Sequence, residues 1–273
     1  MSERDAIERA HERGPATVTS LANDLRRLGV AAGDKLLVHT SLSRLGWVAG
    51  GAVAVVDALV SVVGVAGTLV MPTHTAALCD PSGWSNPPVP EAWWPTIRDQ
   101  TPAFDTATTP SWRMGAVAEA FRTRPGVLRS DHPLASFAAC GPHAAQIVER
   151  HPLEDTFGDG GPLGRLYDLG AKILLLGVDH TNNTSLHMAE YRWGAPTLRT
   201  GSPVLRDGRR VWVEYDMREC ENDDFPKIGD AYAAAGGEVR ADRVGSGAAL
   251  LLPMRELVDF AETWMVENRP PPV

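Results

Sequence analysis

The sequence predicts an α/β fold of three layers, in which a central, mostly parallel or mixed sheet lies between two layers of helices. Short apolar runs alternate with amphipathic segments of helical period along most of the chain. The run AKILLLGVD, from Ala171 to Asp179, is apolar on both faces, as is typical of a strand inside a sheet. Because no evident linker interrupts the 273 residues, we expect a single domain over 1–273.

The N-terminal part contains a strand–loop–helix–strand unit. The apolar run KLLVHT is followed by the loop SLSRLGWVAGG, by a helix rich in Ala and Val at Val53 to Val63, and by a second strand at Thr68 to Thr73. Such a unit predicts two parallel strands joined by a right-handed crossover. An amphipathic helix at Thr17 to Leu28 precedes the unit.

The remaining elements are predicted from the same patterns. Residues 202–216 resemble a β-hairpin that turns at Asp207-Gly208, since this pair favours a tight turn. The other predictions are a strand at SFAACG and helices at Met114 to Thr123, Pro142 to Glu149, NNTSLHMAEYR, Ile228 to Ala235 and Met254 to Val266.

Residues 80–112 are rich in proline and contain four of the eight tryptophans, at positions 84, 93, 94 and 112. Proline fixes φ and removes a backbone donor, so we expect an ordered loop with little regular structure. The loop either packs on its own side chains or forms a wall of a ligand site, and the sequence leaves both open.

Composition and charge exclude several classes of partner. The chain has 26 basic and 34 acidic residues, a net charge of −8, and no Lys/Arg run, so we expect no nucleic acid partner. It contains no run of about 18 apolar residues, so we expect no membrane span. The charged N-terminus lacks the apolar core of a signal peptide, and a cytoplasmic location follows as an expectation. The acidic balance suits a cationic ligand, or serves solubility alone.

Two alternative chemistries involve cysteine. The odd set of Cys79, Cys140 and Cys220 contains no CxxC pair, so we expect reduced thiols and neither a disulfide framework nor a structural zinc site. Cys140 beside His143 or His132 is a rival acyl-carrying nucleophile, although it ends an apolar run where thiols usually pack. A zinc site would need His74, Cys79, His132 and His187, whose spacing is unlike that of known metal sites.

His187 is the strongest candidate for acid–base chemistry. It lies near the N-terminus of a predicted helix that follows the strand at 171–179, where ligand crevices form in α/β sheets. The positive end of the helix dipole keeps an imidazole neutral, as a general base at pH 7 must be. Glu190 lies three residues later, on the same helix face. The alternative is a capped helix with an incidental surface histidine.

The loop from Val38 to Gly51 combines hydroxyls and glycines between a strand and a helix. Its backbone N–H groups and hydroxyls are suited to phosphate oxygens. It contains neither a Walker A nor a GxGxxG motif, so an ordinary strand–helix turn is the alternative.

Several segments together resemble the aminoglycoside 3-N-acetyltransferases, the antibiotic N-acetyltransferase family. They occur in the family's order over roughly residues 20 to 265. The resemblance implies an α/β/α fold unrelated to the GNAT acetyltransferases, acetyl-CoA as donor, no metal, and a polycationic aminoglycoside as acceptor, with the 3-amine as the acetylated group. The segments are VHTSLSRLG, GTLVMPTHT, PPVPEAWW to PAFD, RSDHPLASFAACGPHA, FGDGGPLGRLYDLGAKILLLGV and NTSLHMAE.

The resemblance assigns roles to individual residues. It implies that His187, in TSLHMAE, is the catalytic histidine. It implies that Thr73 and His74 face the thioester and that Ser136 belongs to an HP-x-x-SF segment with His132. The residues it implies for the coenzyme A loop are His39, Ser41, Leu42, Ser43, Gly50 and Gly51.

A carboxylate is expected to orient His187, but the match to the family is poor at this point. The acidic run VEYDMRECENDDF offers candidates, of which Glu221 and Asp216 are favoured. The carboxylates expected to bind a cationic acceptor are Asp179, Glu190, Asp223 and Asp224.

The chemistry expected is direct transfer, in which His187 takes a proton from the amine as the amine attacks the thioester. Three alternatives remain: an N-acetyltransferase of this fold that acts on another amine metabolite, a serine hydrolase using Ser41 or Ser185 without a G-x-S-x-G elbow, and a CoA-binding module without catalysis. A homodimer is compatible with the sequence, which does not specify the oligomeric state.

Overall fold

The computed structural model describes residues 3–11 and 14–271. Its strands are β1 Lys35–Thr40, β2 Thr68–Pro72, β3 Leu128–Arg129, β4 Phe137–Cys140, β5 Lys172–Leu176, β6 Thr197–Arg206, β7 Arg209–Arg218, β8 Arg240–Val244 and β9 Gly247–Pro253. Its helices are α1 Glu3–Ala10, α2 Val18–Leu28, α3 Gly51–Val63, α4 Trp94–Gln100, α5 Gly115–Arg122, α6 Ala144–Val148, α7 Pro162–Asp168, α8 Ser185–Trp193, α9 Phe225–Ala234 and α10 Met254–Asn268.

Seven strands form one mixed sheet in the order β3-β4-β2-β1-β5-β9-β8. Strand β1 is parallel to both of its neighbours, β2 and β5, whereas the outer pairings are antiparallel. This arrangement confirms the predicted parallel pair β1–β2 and the placement of the 171–179 run inside the sheet. The sheet is mixed, which was one of the two forms expected.

Helices cover both faces of this sheet, which confirms the three-layer prediction. Successive side chains of β5 point to opposite faces, so Leu174 and Leu176 pack with α2, α3 and α5, while Ile173 and Leu175 pack with α7, α8 and α10. All four side chains are fully buried. Burial of each such side chain contributes roughly 1.5–3 kcal/mol, so these two cores hold the helical layers against the sheet.

Strands β6 and β7 form a separate two-stranded hairpin over 197–218. Asp207 and Gly208 both have positive φ, 50° and 71°, as a type I′ turn requires. The predicted hairpin and its turn are confirmed, and each strand is longer than expected.

The proline- and tryptophan-rich segment packs against this hairpin. The Phe104 N–H donates to Pro203 O at 3.0 Å, and Arg210 Nε donates to Thr101 O at 2.6 Å. Arg98 forms a two-point ion pair with Asp80 at 2.8 and 2.9 Å. The segment also contains the short helix α4 and two 3-10 turns, so it holds more regular structure than its proline content predicts.

The sequence analysis missed several elements. These are α1, the two-residue strand β3, α7, and the β8–β9 hairpin at the other edge of the sheet. Within the described ranges, no helix is both long enough and apolar enough to cross a bilayer.

Candidate active site

A cavity of about 590 Å³ opens at the carboxyl ends of β1 and β5. Since these strands are parallel neighbours, the loops that follow them meet at one edge of the sheet. The Ser41 N–H donates to Leu176 O at 2.9 Å and ties the two strand ends together. The lining includes His39, Thr40, Ser41, Arg44, Pro72, Arg113, Met114, Gly115, Gly177, Asp179, Asn182 and Thr184.

Two arginines line this cavity although the chain is acidic overall. Arg44 ends the 3-10 turn Leu42–Arg44, and Arg113 lies just before α5. Arg113 has φ of 58°, a left-handed conformation that a residue with a side chain rarely adopts. Such backbone strain is found preferentially at ligand-binding sites. Guanidinium groups are well suited to phosphate oxygens, so the cavity can hold an anionic ligand.

His187 lies three residues from Glu190 on α8, and the two side chains are in contact. The His187 Nδ1 and Glu190 Oε2 atoms are 2.6 Å apart. Glu190 is fully buried, and its Oε1 accepts hydrogen bonds from Arg269 at 2.7 Å and from the Glu221 N–H at 3.0 Å. Because an ionised carboxylate accepts only, Nδ1 carries a proton, and in the neutral form of the ring the lone pair lies on Nε2.

Two phenylalanines hold the His187 ring in place. The Phe157 ring stacks on it at 4.9 Å between centroids, and the Phe225 ring lies tilted at 5.0 Å. The His187 side chain remains 18% exposed, so a ligand can reach it. His187 is not itself part of the cavity lining, but two of its neighbours are: Thr184, whose carbonyl accepts the His187 N–H at 3.1 Å, and His39, whose pKa responds to His187. A fixed, partly exposed imidazole with a free lone pair is the arrangement that a general base needs.

Two more histidines lie near His187, of which His39 is buried and His74 is partly buried. Burial lowers the pKa of His39 to about 3, and charge repulsion from His187 and His180 adds to this effect. Burial lowers the pKa of His74 well below its usual range, with a further contribution from His187. The Nε2 atoms of both rings are buried without a hydrogen-bond partner. Both side chains are therefore neutral at pH 7, and neither competes with His187 for a proton.

Comparison with known proteins identifies the family. A family model described as aminoglycoside 3-N-acetyltransferase matches residues 37–266. This chain belongs to that family. It is thus a member of a family of acetyl-CoA-dependent aminoglycoside N-acetyltransferases.

Individual relatives match along almost their full length. The SPbeta prophage-derived aminoglycoside N(3')-acetyltransferase-like protein YokD of Bacillus subtilis (strain 168) is 44% identical over 93% of this chain and 94% of its own. Its crystal structure matches with a TM-score of 0.91 over the same shares of the two chains. Aminoglycoside N(3)-acetyltransferase VII of Streptomyces paromomycinus is 37% identical over 93% of each chain.

Two similar solved structures have titles that name ligands. The structure titled AAC-IIIb binary with CoASH has a TM-score of 0.83 and 31% identity, covering 94% of this chain and 99% of its own. The structure titled AAC-VIa bound to Sisomicin has a TM-score of 0.82 and 31% identity, covering 92% and 97%. The expected fold, distinct from that of the GNAT enzymes, is thereby confirmed.

The residues predicted for coenzyme A lie at different depths. His39 and Ser41 line the cavity, and the Ser43 hydroxyl lies 3.4 Å from that of Ser41. Leu42 packs against the core on the α3 side of the sheet. The remaining pair, Gly50 and Gly51, stands at the N-terminus of α3 and is not part of the described lining.

Thr73 and Ser136 form a buried joint between β2 and β4 rather than part of the described cavity lining. Thr73 Oγ1 lies 3.0 Å from Ser136 O, and Ser136 Oγ donates to Thr73 O at 2.9 Å. Arg129 donates to Thr73 O at 2.7 Å and to Ser136 Oγ at 2.9 Å. These contacts satisfy the polar groups at the strand ends, so a structural role explains them.

The carboxylate beside His187 is Glu190, whereas the sequence analysis favoured Glu221 and Asp216. The Glu221 side chain is exposed, and only its backbone reaches the pair. Asp216 lies on the hairpin, where its Oδ1 is 3.2 Å from Arg199. The helical spacing of three residues was the signal that pointed to Glu190 instead.

The four carboxylates expected to bind the acceptor lie in different surroundings. Asp179 lines the cavity and accepts the Thr181 N–H at 2.9 Å, and Asp223 is exposed. Asp224 is held by Arg269 at 2.6 Å. Glu190 is buried against His187, so it does not face an acceptor that arrives from solvent.

The cysteines lie in settings that keep them protonated or packed. Burial raises the pKa of Cys79, and burial together with Glu190 raises the pKa of Cys220. Cys140 lies at the end of β4. Of its two suggested partners, His132 accepts two backbone N–H bonds through Nδ1 at 3.1 Å each, and His143 Nδ1 lies 3.3 Å from Gln146 Oε1. None of these contacts generates a thiolate.

The metal-ligand atoms that lie close together share only His187 with the zinc set considered from the sequence. Within the part of the chain that the structure describes, the group of three or more such side chains is His187, Glu190 and Cys220, not the set around His74 and Cys79. The Glu190 oxygens already accept three N–H donors, and the Cys220 thiol holds its proton, so hydrogen bonding accounts for this group.

Several site residues were assigned no role from the sequence. Phe225 and Arg113 lie outside the segments that carry the resemblance, whereas Arg44 in VHTSLSRLG and Phe157 in FGDGGPLG lie within them. Arg269 lies 79 residues from its partner Glu190, a contact that no periodicity predicts.

The buried histidines predict a loss of stability in acid. Between its usual pKa of 6.5 and its folded value of about 3, His39 binds a proton only in the unfolded chain. The free energy of unfolding should therefore fall by about 1.4 kcal/mol per pH unit for this group alone as the pH drops through that window. Urea unfolding of His39→Gln should show a correspondingly shallower pH dependence. The exposed His11→Gln variant should match the parent chain, and equal slopes for the His39→Gln variant and parent would refute the assignment.

Proposed function

We propose that this chain transfers the acetyl group of acetyl-CoA to an amino group of an aminoglycoside, the 3-amine, with His187 as general base. The observation that carries the proposal is the buried Glu190 that holds His187 Nδ1 at 2.6 Å beside a cavity lined by two arginines. A base and an anion site lie together, as the two substrates of such a reaction require.

The chemistry follows from the geometry of the pair. His187 Nε2 accepts a proton from the acceptor amine as the amine nitrogen attacks the thioester carbonyl carbon. The C–N bond forms, the C–S bond breaks, and the departing CoA sulfur takes a proton to become the free thiol. Glu190 stabilises the imidazolium that forms in between, which favours proton transfer without a covalent enzyme intermediate.

The donor fits the cavity through its phosphates. Arg44 and Arg113 supply guanidinium groups, and Ser41, the residue that follows β1, adds a hydroxyl to the lining. Charge-assisted pairs between arginine and phosphate are among the stronger polar contacts in proteins. The structural relative titled AAC-IIIb binary with CoASH supports coenzyme A as the ligand class for this chain as well.

The acceptor is matched by the acidic character of the chain. A net charge of −8, Asp179 in the cavity lining and the exposed Asp223 favour a substrate with several ammonium groups. The structural relative titled AAC-VIa bound to Sisomicin supports an aminoglycoside. Glu190 and Asp224 already form ion pairs with Arg269, so we do not include them in this acceptor site.

The proton-transfer role predicts that His187→Ala lowers kcat by about 10²–10⁴-fold, the usual loss for a general base, with little change in the KM for acetyl-CoA. Glu190→Gln should also lower kcat, because the amide orients the ring but does not stabilise its charge. Asp216→Asn, which neutralises an exposed hairpin carboxylate, serves as control and should retain the parent kcat. Steady-state rates of thiol release decide the matter, and near-normal turnover of His187→Ala rules out this base.

The phosphate role predicts a different kinetic pattern for the arginines. Arg44→Ala and Arg113→Ala should each raise the KM for acetyl-CoA by roughly 10–100-fold, as loss of a charged hydrogen bond does, and change kcat less. Arg206→Ala, on the exposed hairpin tip, should leave both constants unchanged. If calorimetry gives the same affinity for coenzyme A in all four proteins, the phosphates bind elsewhere.

A further inference from the structure

We infer that Arg269, the first residue after α10, is a positioning residue that fixes Glu190 and sets the proton affinity of His187. The inference rests on the proposed function of His187 as a base. It assigns a role to the C-terminal segment, which lies outside every motif in the sequence.

The contacts of Arg269 are numerous and specific. Its guanidinium donates to Glu190 Oε1 at 2.7 Å and makes a two-point contact with Asp224 at 2.6 and 2.8 Å. It also donates to Glu221 O at 3.1 Å and lies over the Trp193 ring at 5.4 Å. An arginine fixed at five points loses its freedom to swing away, so it holds whatever it binds.

The two carboxylate oxygens of Glu190 contact different partners. Oε2 contacts His187, while Oε1 accepts from Arg269 and from the Glu221 backbone. Arg269 therefore fixes the carboxylate rotation that aims Oε2 at His187 Nδ1. A carboxylate with no solvent exposure also needs a compensating cation, and Arg269 supplies it.

The contact of Arg269 with Asp224 also helps to hold the His187 ring, through Phe225. Asp224 is the residue immediately before α9, and Phe225 is the first residue of that helix. The Phe225 ring contacts the His187 ring at 5.0 Å. By holding Asp224, Arg269 ties the start of α9 to α8 at the point where the ring is held.

The net charge of the cluster favours a proton on His187. With His187 neutral, the carboxylates of Glu190 and Asp224 outweigh the one guanidinium by a single negative charge, and a proton on His187 makes the cluster neutral. The positive charge of Arg269 weakens the attraction of the carboxylates for the proton, so loss of Arg269 strengthens proton binding by the His187–Glu190 pair. The other titratable groups that face the pair are His39 from β1, His74 after β2 and Cys220 after β7.

The kinetic test compares Arg269→Gln with Arg269→Lys. In the Gln variant, kcat should fall by roughly 10–100-fold, the loss seen when a group that orients a metal-ligating histidine is removed. The KM for acetyl-CoA should stay unchanged. The acidic limb of kcat/KM should move to higher pH, because the pair holds its proton more tightly. The Lys variant keeps the charge, so its limb should lie close to that of the parent.

Arg192→Gln is the matched control. Arg192 lies on the same helix as Glu190, bridges Asp159 at 2.7 Å and Asp259 at 3.3 Å, and covers the Tyr167 ring at 4.2 Å. Like Arg269 it pairs with two carboxylates and covers an aromatic ring, but those carboxylates are Asp159 and Asp259 and not Glu190. Its loss should lower thermal stability to a similar degree without moving the pH profile.

A second readout does not depend on acetyl transfer. Titration of the His187 ring by NMR should show a higher midpoint in Arg269→Gln than in the parent, Arg269→Lys or Arg192→Gln. Unchanged midpoints in both the NMR titration and the rate profile of folded Arg269→Gln overturn the inference. If the NMR midpoint moves but no aminoglycoside is acetylated by the parent chain, the positioning role stands and the proposed substrate fails.

Discussion

Glu190 carries a carboxylate in a position with no solvent exposure, and its contact with His187 governs how the surrounding segments are arranged. An isolated buried charge costs several kcal/mol, so such a group persists only where donors and a counter-charge surround it. Three separate parts of the chain meet this demand: α8 through His187, residues 219–224 through a backbone N–H, and the end of α10 through Arg269. The pair thus depends on long-range packing, although its two members are neighbours on one helix.

The sheet determines where this pair can act. Because β1 and β5 are parallel neighbours, their following loops open a cavity at one edge, and α8 begins there. Strand β1 and the segment that follows it bring His39, Ser41 and Arg44 into the lining, which also contains the strained Arg113. Burial keeps His39 and His74 neutral, so His187 is the imidazole with both exposure and an orienting carboxylate. Position in the sheet and local electrostatics together single it out.

Much of the fold was predictable because its signals are local. Apolar runs specified β1, β2 and β5, and the Asp207-Gly208 pair specified the hairpin turn. Edge elements such as β3 and β8 were missed, since edge strands are short or polar and their pairing depends on distant partners. The same contrast between local signals and long-range contacts holds for the candidate site. His187 was predicted from its place after a strand, but Glu190 was expected to bind the cationic acceptor, because its burial and its contact with Arg269 arise only from the tertiary structure.

The most direct test of the proposed function is a transfer assay with the purified chain, acetyl-CoA, an aminoglycoside such as sisomicin, the same compound blocked at its 3-amine, and simple polyamines. Thiol release and the structure of the product are followed by absorbance, mass spectrometry and NMR. The account predicts thiol release with the free aminoglycoside, a product acetylated once at the 3-amine, and little release with the blocked compound. Equal turnover of the blocked compound, or acetylation of polyamines without the aminoglycoside, would contradict it and indicate a different amine acceptor.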